Sequence, residues 1–286
     1  IPESLLPEVR NSADDYGETS REIFGTKLPI AGVAGDQQAA LFGQCCLAPG
    51  MAKSTYGTGC FMMMNTGSQP VSSAHRMLTT VAYQLEGRIT YALEGAIFNA
   101  GTTIQWLRDQ LGVIQSADDT QTILARTAGN SGVYLVPAFT GLGAPHWQPE
   151  ARGILTGLTR NTGPEQMVRA AVESVCYQTL DLLEAMTLDS GIALEELRVD
   201  GGMTANHWML QFLADILNTR VCKPAIIEST ALGAANLARL QLGLVDSLAS
   251  LSTQWQRQEN FAPDMDSIQR NGLVQGWQSA IRQCLA

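Results

Sequence analysis

Residues 197–242 alternate between strand and helix, and this alternation restricts the fold more than any other feature of the chain. A strand at "LRVDGG" precedes a helix over Thr204–Asn218, and a second strand at "TRVCKP" precedes a helix over Ser229–Leu242. Strands that alternate with helices in this way form a parallel sheet covered by helices. The sequence therefore predicts an α/β fold.

The first half of the chain predicts strands that reverse direction, so the sheet should be mixed. The segment "MAKSTYGTGCFMMMNTG" is strand-like but interrupted by glycines, and "LTTVAYQLEGRITYALEG" predicts a hairpin that turns at Glu86-Gly87. A short strand near Leu28–Val33 and a helix over Ala96–Leu111 are also expected. Buried strands are predicted at "GVYLVPAF" and "ARGILTGLT".

A long amphipathic helix is predicted over Pro164–Ser190. Proline suits the first turn of a helix, and Gly191 suits the position just after its end. The last residues, 250–286, are polar and predict one amphipathic helix near Val274–Cys284. Together these patterns predict a mixed sheet flanked by helices.

Composition and charge exclude several classes of function. The chain has 286 residues and a net charge of −9, so we expect neither a nucleic-acid partner nor binding to an acidic membrane surface. No apolar run is long enough to predict membrane insertion. The six cysteines form no CxxC pair, and the three histidines have no metal-ligand spacing. Free thiols in a reducing, cytoplasmic compartment are expected.

Three glycine clusters lie at the ends of predicted strands. They are Tyr56–Gly59, Glu94-Gly95 with Gly101, and Asp200–Gly202. Two of them lead into helices, where backbone N–H groups without a Cβ in the way suit phosphate oxygens. Each cluster alone is most simply a tight turn. Three of them in one α/β chain favour nucleotide binding.

Polar residues near these turns fit the same interpretation. Gln105 lies four residues after Gly101, and Asn206 lies four residues after Gly202, so each pair shares one helix face. Thr58 adds a hydroxyl beside the first turn. The sequence contains neither GxxxxGK[ST] nor GxGxxG with a following acid, which excludes a P-loop protein and a Rossmann dehydrogenase.

Asp36 is the remaining candidate, in the stretch "AGVAGDQQAALFG". An acid at this point can cap the short helix that follows, which is the commoner role for such a residue. It can also be placed to accept a proton. The local sequence leaves both alternatives open.

Several longer blocks carry a resemblance to a known family. They are "GDQQAALFGQ", "YGTGCF", "ALEGAIFNAGTTIQWLRD", "PAFTGLGAPHW", "VDGGMTAN" and "GILTGLTRNTGPEQMVRAAVES". The chain resembles the carboxyl-terminal half of the FGGY carbohydrate kinases, on the branch that phosphorylates glycerol. This implies a ribonuclease H-like domain of the actin/hexokinase type. Residues 1–44 would end the amino-terminal domain, and residues 45–286 would form the nucleotide-binding domain, with a looser helical tail at 250–286.

The resemblance also implies roles for individual residues. Asp36 corresponds to the catalytic base, Gln37 to a glycerol-binding residue, and Phe61 to the aromatic side chain that packs on the carbon side of glycerol. Residues that correspond to nucleotide contacts are Thr58, Gly59, Gly101, Gln105, Gly202 and Asn206. ATP and Mg²⁺ are the implied cosubstrate and metal, with Asp36 touching the metal through water.

The family's amino-terminal phosphate motif, DxGTxxxR, does not precede Asp36 in this sequence. We therefore expect little or no kinase activity from this chain alone, and homodimers or homotetramers from the full-length protein. A sugar kinase acting on xylulose or gluconate is an alternative, although a bulky Phe61 favours a small triol. A non-catalytic regulatory or assembly module of the same fold is a third hypothesis.

Overall fold

The computed structural model describes residues 2–286 as nine α-helices and nine strands, with two short 3-10 helices at Glu3–Leu5 and Gly202–Ala205. The helices are α1 (Arg21–Phe24), α2 (Asp36–Gly43), α3 (Gly101–Asp109), α4 (Asp119–Arg126), α5 (Pro164–Ser190), α6 (His207–Leu217), α7 (Ser229–Gln241), α8 (Leu248–Gln254) and α9 (Ser267–Leu285). The strands are β1 (Ala52–Tyr56), β2 (Cys60–Gly67), β3 (Leu78–Leu85), β4 (Arg88–Ile97), β5 (Tyr134–Val136), β6 (Ile154–Thr156), β7 (Glu196–Asp200), β8 (Arg220–Pro224) and β9 (Arg257–Phe261).

Seven strands form one mixed sheet in the order β3-β4-β2-β1-β7-β8-β9. Strands β1 to β4 pair antiparallel with one another, whereas β1, β7 and β8 run parallel. Strand β9 adds an antiparallel edge to β8. The parallel half is the part that the strand–helix alternation predicts, because helix α6 connects β7 to β8.

Helices cover both faces of this sheet, and the alternating residues of β1 and β2 show how the two faces divide. Tyr56, Cys60 and Met62 point into the larger core, which α5 and α6 complete. Met63 points to the opposite face and packs with α2 and α7. The run of methionines at 62–64 is fully buried for this reason, as expected for a core strand.

Helices α2 and α7 pack with their backbones in contact. A Cβ at Gly43 would lie 2.8 Å from the Gly233 nitrogen, and a Cβ at Gly233 would lie 2.9 Å from the Gly43 nitrogen. Glycine at both positions is what permits this approach. The contact fixes α2, and therefore the residues at its first turn, against the sheet.

Helix α5 is buried on all sides along most of its length, so the amphipathic character predicted for it is wrong although its bounds are right. The two-stranded sheet β5–β6 packs on it, and α9 adds Trp277, which stacks on Tyr177 with 5.3 Å between ring centroids. The Trp277 indole nitrogen donates to Asp181 at 3.0 Å. These contacts join the carboxyl-terminal helix to the main core.

Several predicted elements are confirmed by the structure. Helix α5 spans Pro164–Ser190, and Gly191 follows it in the left-handed conformation. The hairpin turns at Glu86 and Gly87, which both have positive φ. The strands predicted in "GVYLVPAF" and "ARGILTGLT" are β5 and β6.

Other predictions are wrong or inexact. Residues 28–33 hydrogen-bond irregularly to residues 12–19, with isolated bridges to Ala13 and Glu18, and do not form a strand. Residues 96 and 97 belong to β4, so the helix predicted over Ala96–Leu111 is limited to α3. The helix predicted from Thr204 begins as a 3-10 turn, and α6 starts at His207. The carboxyl-terminal helix is longer than predicted, and the tail also supplies the unpredicted strand β9.

Two observations concern the chain as a whole. None of the helices among residues 2–286 combines the length and the apolar character that crossing a membrane requires. All six cysteines are free, as predicted, and all but Cys284 are buried.

Candidate active site

Parts of all three glycine clusters meet at one cavity of about 320 Å³, where Tyr56–Thr58, Gly101 and Gly202 line the wall and Glu94 and Gly95 do not. Five of the predicted nucleotide contacts line it, and these are Thr58, Gly101, Gln105, Gly202 and Asn206. Gly59 does not line the cavity. A Cβ at Gly59 would lie 2.6 Å from the Ile97 carbonyl oxygen, so glycine there lets the β1–β2 turn pack against the end of β4. The structure thus brings five residues to one cavity, although they are far apart in the sequence.

The turn before α3 differs from the sequence-based prediction. The Gly101 N–H donates to the Gly57 carbonyl oxygen at 3.0 Å, and the Thr102 N–H donates to the Thr58 carbonyl oxygen at 3.1 Å. These helix-start amides are therefore already used and are not free for phosphate. Gly101 contributes close approach instead, because a Cβ there would lie 2.5 Å from the Gly57 oxygen.

The turn after β7 uses its two glycines for different purposes. Gly201 has a φ of +92°, and a Cβ there would lie 2.7 Å from the carbonyl carbon of Tyr56. Gly201 is thus required by conformation and by packing. Gly202 has no atom within 4 Å of where its Cβ would stand, so it leaves open space on the cavity wall.

The two amide side chains at the cavity differ in their freedom. Gln105 is exposed on α3. Asn206 instead accepts from the Met209 N–H at 3.0 Å, which caps α6, and donates to the Thr120 hydroxyl at 2.9 Å. Because an amide nitrogen carries two hydrogens, one donor of Asn206 remains for a ligand.

Part of the cavity wall comes from residues that the sequence interpretation did not single out. Polar side chains at its rim include Arg108, Asp118 and Gln121, and its apolar lining includes Ile104 and Met209. Helix α4 and the turn before it supply Asp118 and Gln121, whereas Arg108 lies on α3. An unremarkable surface helix carries no sequence signal of such a role, and so pattern reasoning missed it.

A second group of predicted residues lies on the face of the sheet that α2 covers. Asp36 is the first residue of α2, with Gly35 as the N-cap, and its carboxylate makes no capping bond beyond the adjacent Gln37 N–H at 2.8 Å. The Gln37 amide nitrogen lies 3.4 Å from Asp36 Oδ2. Asp36 is exposed, so within residues 2–286 most of its acceptor capacity is unused.

Lys53 joins these residues to the sheet. Its Nζ donates to Gln37 Oε1, to Thr55 Oγ1 at 3.0 Å and to the Phe61 carbonyl oxygen at 3.3 Å. Burial lowers the pKa of Lys53, while the carboxylates of Asp200 and Glu94 act in the opposite direction. The sequence analysis missed Lys53, although a lone lysine in a central strand, "MAKSTY", is the kind of signal that marks such a residue.

Phe61 and Thr55 show that the residues lining the cavity lie next to the residues around Asp36. They pair across β1 and β2, next to the Tyr56–Cys60 pair that closes the hairpin before the turn at Gly57–Gly59. Gly57 and Thr58 line the cavity, whereas Phe61 is 38% exposed beside the Asp36 group. The β1–β2 turn therefore separates a nucleotide-sized cavity from a small polar and aromatic surface.

Two other acids near the turns have different surroundings. Asp200 is buried and accepts from Gln44 at 2.7 Å and from the Ser229 hydroxyl, so it ties α2 and α7 to β7. Glu94 is half-buried on β4. Burial raises the pKa of Glu94, Lys53 opposes this rise, and Asp36 adds to it.

Comparison with known proteins assigns the fold and the family. The crystal structure of Plasmodium falciparum glycerol kinase with ADP superposes with a TM-score of 0.93 at 37% identity, covering 99% of this chain and 57% of that one. The crystal structure of xylulose kinase from Rhodospirillum rubrum shares the fold, with a TM-score of 0.83 at 22% identity. The domain is of the ribonuclease H-like, actin/hexokinase type.

Sequence comparison gives the family. The model of the FGGY family of carbohydrate kinases, C-terminal domain, matches residues 52–242, and the chain belongs to this family. Glycerol kinases from Ectopseudomonas mendocina and Rhodospirillum centenum are 55% and 54% identical over 283 residues, which is 99% of this chain. The chain spans 57% of the length of these relatives.

Proposed function

We propose that the full-length protein containing this chain transfers a phosphoryl group from ATP to glycerol, and that the chain supplies the nucleotide site and the base. The observation that carries the proposal is the cavity at which the glycine turns meet, next to the Asp36 surface across the β1–β2 turn. The glycerol kinase relatives support the choice of acceptor, and the neighbouring structure with ADP supports the choice of nucleotide.

On the acceptor side, Asp36 takes the proton from a glycerol hydroxyl as its oxygen attacks the γ-phosphorus. The bond between that phosphorus and the bridging oxygen breaks, and ADP leaves. Gln37 binds a glycerol hydroxyl, and Phe61 packs against the carbon chain. A primary alcohol is a weak nucleophile, so a carboxylate in hydrogen-bond reach assists the transfer as general base.

On the nucleotide side, Thr58 and Gly59 meet the terminal phosphates. Gly101, Gln105, Gly202 and Asn206 contact the rest of the nucleotide along the cavity. The open space at Gly202 and the free amide of Gln105 support this arrangement.

The residues also fit a magnesium ion. No cluster of three or more His, Cys, Asp or Glu side chains suited to a metal occurs within residues 2–286. Asp36 is exposed and most of its acceptor capacity is unused, so it would hold such an ion through water. When bound, the ion supplies positive charge that neutralises the transferring phosphate.

The proposal extends to the rest of the protein. In this proposal residues 1–44 end the amino-terminal domain and residues 45–286 form the nucleotide-binding domain, and the chain spans 57% of the length of the glycerol kinase relatives. We therefore expect the chain alone to have little or no kinase activity. The full-length protein is proposed to act in the cytoplasm as a homodimer or homotetramer.

The test joins the chain to its native upstream sequence and measures ADP release with Mg-ATP and glycerol, xylulose or gluconate. We expect turnover with glycerol, and a fall of roughly 100- to 10,000-fold in Asp36→Asn with ADP binding retained. Asp246→Asn, an exposed acid between α7 and α8, is the matched control and should retain activity. Turnover with a sugar alone would replace the acceptor, and no turnover at all would favour the non-catalytic module.

A further inference from the structure

Lys53 is the one lysine among the large side chains that the structure buries completely. A lysine ammonium is rarely buried, because removing the charge from water is costly unless every hydrogen finds a partner. Lys53 meets this condition with three acceptors: Gln37 Oε1, Thr55 Oγ1 and the Phe61 carbonyl oxygen. Its three hydrogens are matched by three oxygens, so the arrangement suits the charged form.

These contacts determine the orientation of the Gln37 amide. An ammonium only donates, so the atom of Gln37 that faces Lys53 must be the carbonyl oxygen. The amide nitrogen then points the other way, where it lies 3.4 Å from Asp36 Oδ2. One of its hydrogens is directed to the carboxylate, and the other remains for a ligand oxygen.

Lys53 also connects the two elements, α2 and β2, that carry the residues proposed to bind glycerol. Its contact with Gln37 reaches α2, and its contact with the Phe61 carbonyl oxygen reaches β2. Met63 and Glu94 stand in register with Lys53 on β2 and β4, so Glu94 faces the same side of the sheet. The buried cation therefore lies among the residues that would contact the acceptor, and touches two of them directly.

We propose that Lys53 is a positioning residue for the phosphoryl acceptor, which holds Gln37 with its N–H donor turned towards Asp36 and the substrate hydroxyl. This inference rests on the proposed function and adds a residue to it. Lys53 acts through Gln37 and does not touch the substrate. Without its ammonium, the Gln37 amide is free to rotate and to present its oxygen to the acceptor.

The experiment is a double-mutant cycle in the full-length protein, with Lys53→Met, Gln37→Ala and the double variant. We expect Lys53→Met to raise the KM for glycerol roughly tenfold, the usual scale for a hydrogen bond to a charged group, and to leave the KM for ATP unchanged. In the Gln37→Ala background the same substitution should have no further effect on the KM for glycerol. Lys223→Met removes a lysine from β8 that pairs with Glu259 at 3.0 Å, and it should change neither KM.

Three results would overturn the proposal: an unchanged KM for glycerol, an equal rise in both KM values, or an effect that adds in full to that of Gln37→Ala. If Lys53→Met does not fold, as judged by ADP binding, Lys53→Gln replaces it. That variant keeps an N–H donor, so a smaller rise is expected with the same non-additivity.

The unmodified protein separates this proposal from the proposed function. If it phosphorylates another polyol instead of glycerol, the choice of glycerol is wrong, and the same cycle with that polyol still tests Lys53. If it transfers no phosphate to any acceptor, the proposed function and the role of Lys53 both fail.

Discussion

Replacing Gly233 by alanine tests whether the close backbone contact between α2 and α7 needs glycine at this position. Gly233 lies in α7, and an added Cβ would stand 2.6 Å from the Ala39 carbonyl carbon, closer still to its oxygen, and 2.9 Å from the Gly43 nitrogen. Ordinary van der Waals contact needs about 3.5–4.0 Å. The obstructing atoms belong to the backbone of α2, so no side-chain rotation relieves the clash, and the helices must separate by clearly more than about 1 Å.

The expected cost follows from two opposing contributions. Alanine is favoured over glycine inside a helix by about 1 kcal/mol. Overpacking a core usually costs about 1–3 kcal/mol, and a rigid backbone neighbour places this site at or above the upper end. The net loss in free energy of unfolding should be about 2 kcal/mol. For a chain of this size, that lowers the Tm by roughly 3 °C.

The assay compares thermal unfolding of Gly233→Ala and Gly272→Ala by circular dichroism. Gly272 is a helical glycine in α9 with no atom within 4 Å of its Cβ position, so the same substitution should stabilise the chain by about 0.5–1 kcal/mol. The same substitution is therefore expected to lower the free energy of unfolding at Gly233 and to raise it at Gly272. Equal effects of the two variants would refute the reasoning from close approach.

Three further predictions concern charge and the cavity. Arg169→Met leaves buried Glu173, which it contacts at 2.6 Å, without its cation, and should lower the free energy of unfolding by about 3–5 kcal/mol in urea denaturation. Burial raises the pKa of Asp189, but hydrogen bonds, including one from His75, outweigh this and hold it below its ordinary value. Its stabilising contribution is thus complete above the unfolded pKa of about 3.9 and lost as the pH falls through the folded value, so Asp189→Asn should destabilise at pH 7 and much less at pH 2. Gly202→Val should fill the cavity wall and weaken ADP binding by roughly tenfold or more in calorimetry, with an unchanged Tm.

The sequence by itself predicts the elements whose ends depend on the conformation of neighbouring residues. Pro164 and Gly191 determine where α5 begins and ends, because a fixed φ and a left-handed residue act on their own neighbours. The Glu86-Gly87 turn is similar. The sequence blocks also indicate the family, because a motif is recognised from residues that are consecutive along the chain.

The tertiary structure decided the features that depend on partners distant in sequence. Residues 28–33 have a strand-like composition, but their backbone hydrogen bonds to residues 12–19 are too irregular to form a continuous strand pair. The sequence predicts that the Gly101 N–H is free for phosphate, but in the structure it donates to the Gly57 carbonyl oxygen. The contact of Lys53 with Gln37 forms only because α2 packs against β1. Sequence patterns report periodicity and local conformation, whereas hydrogen-bond partners across the fold exist only after packing.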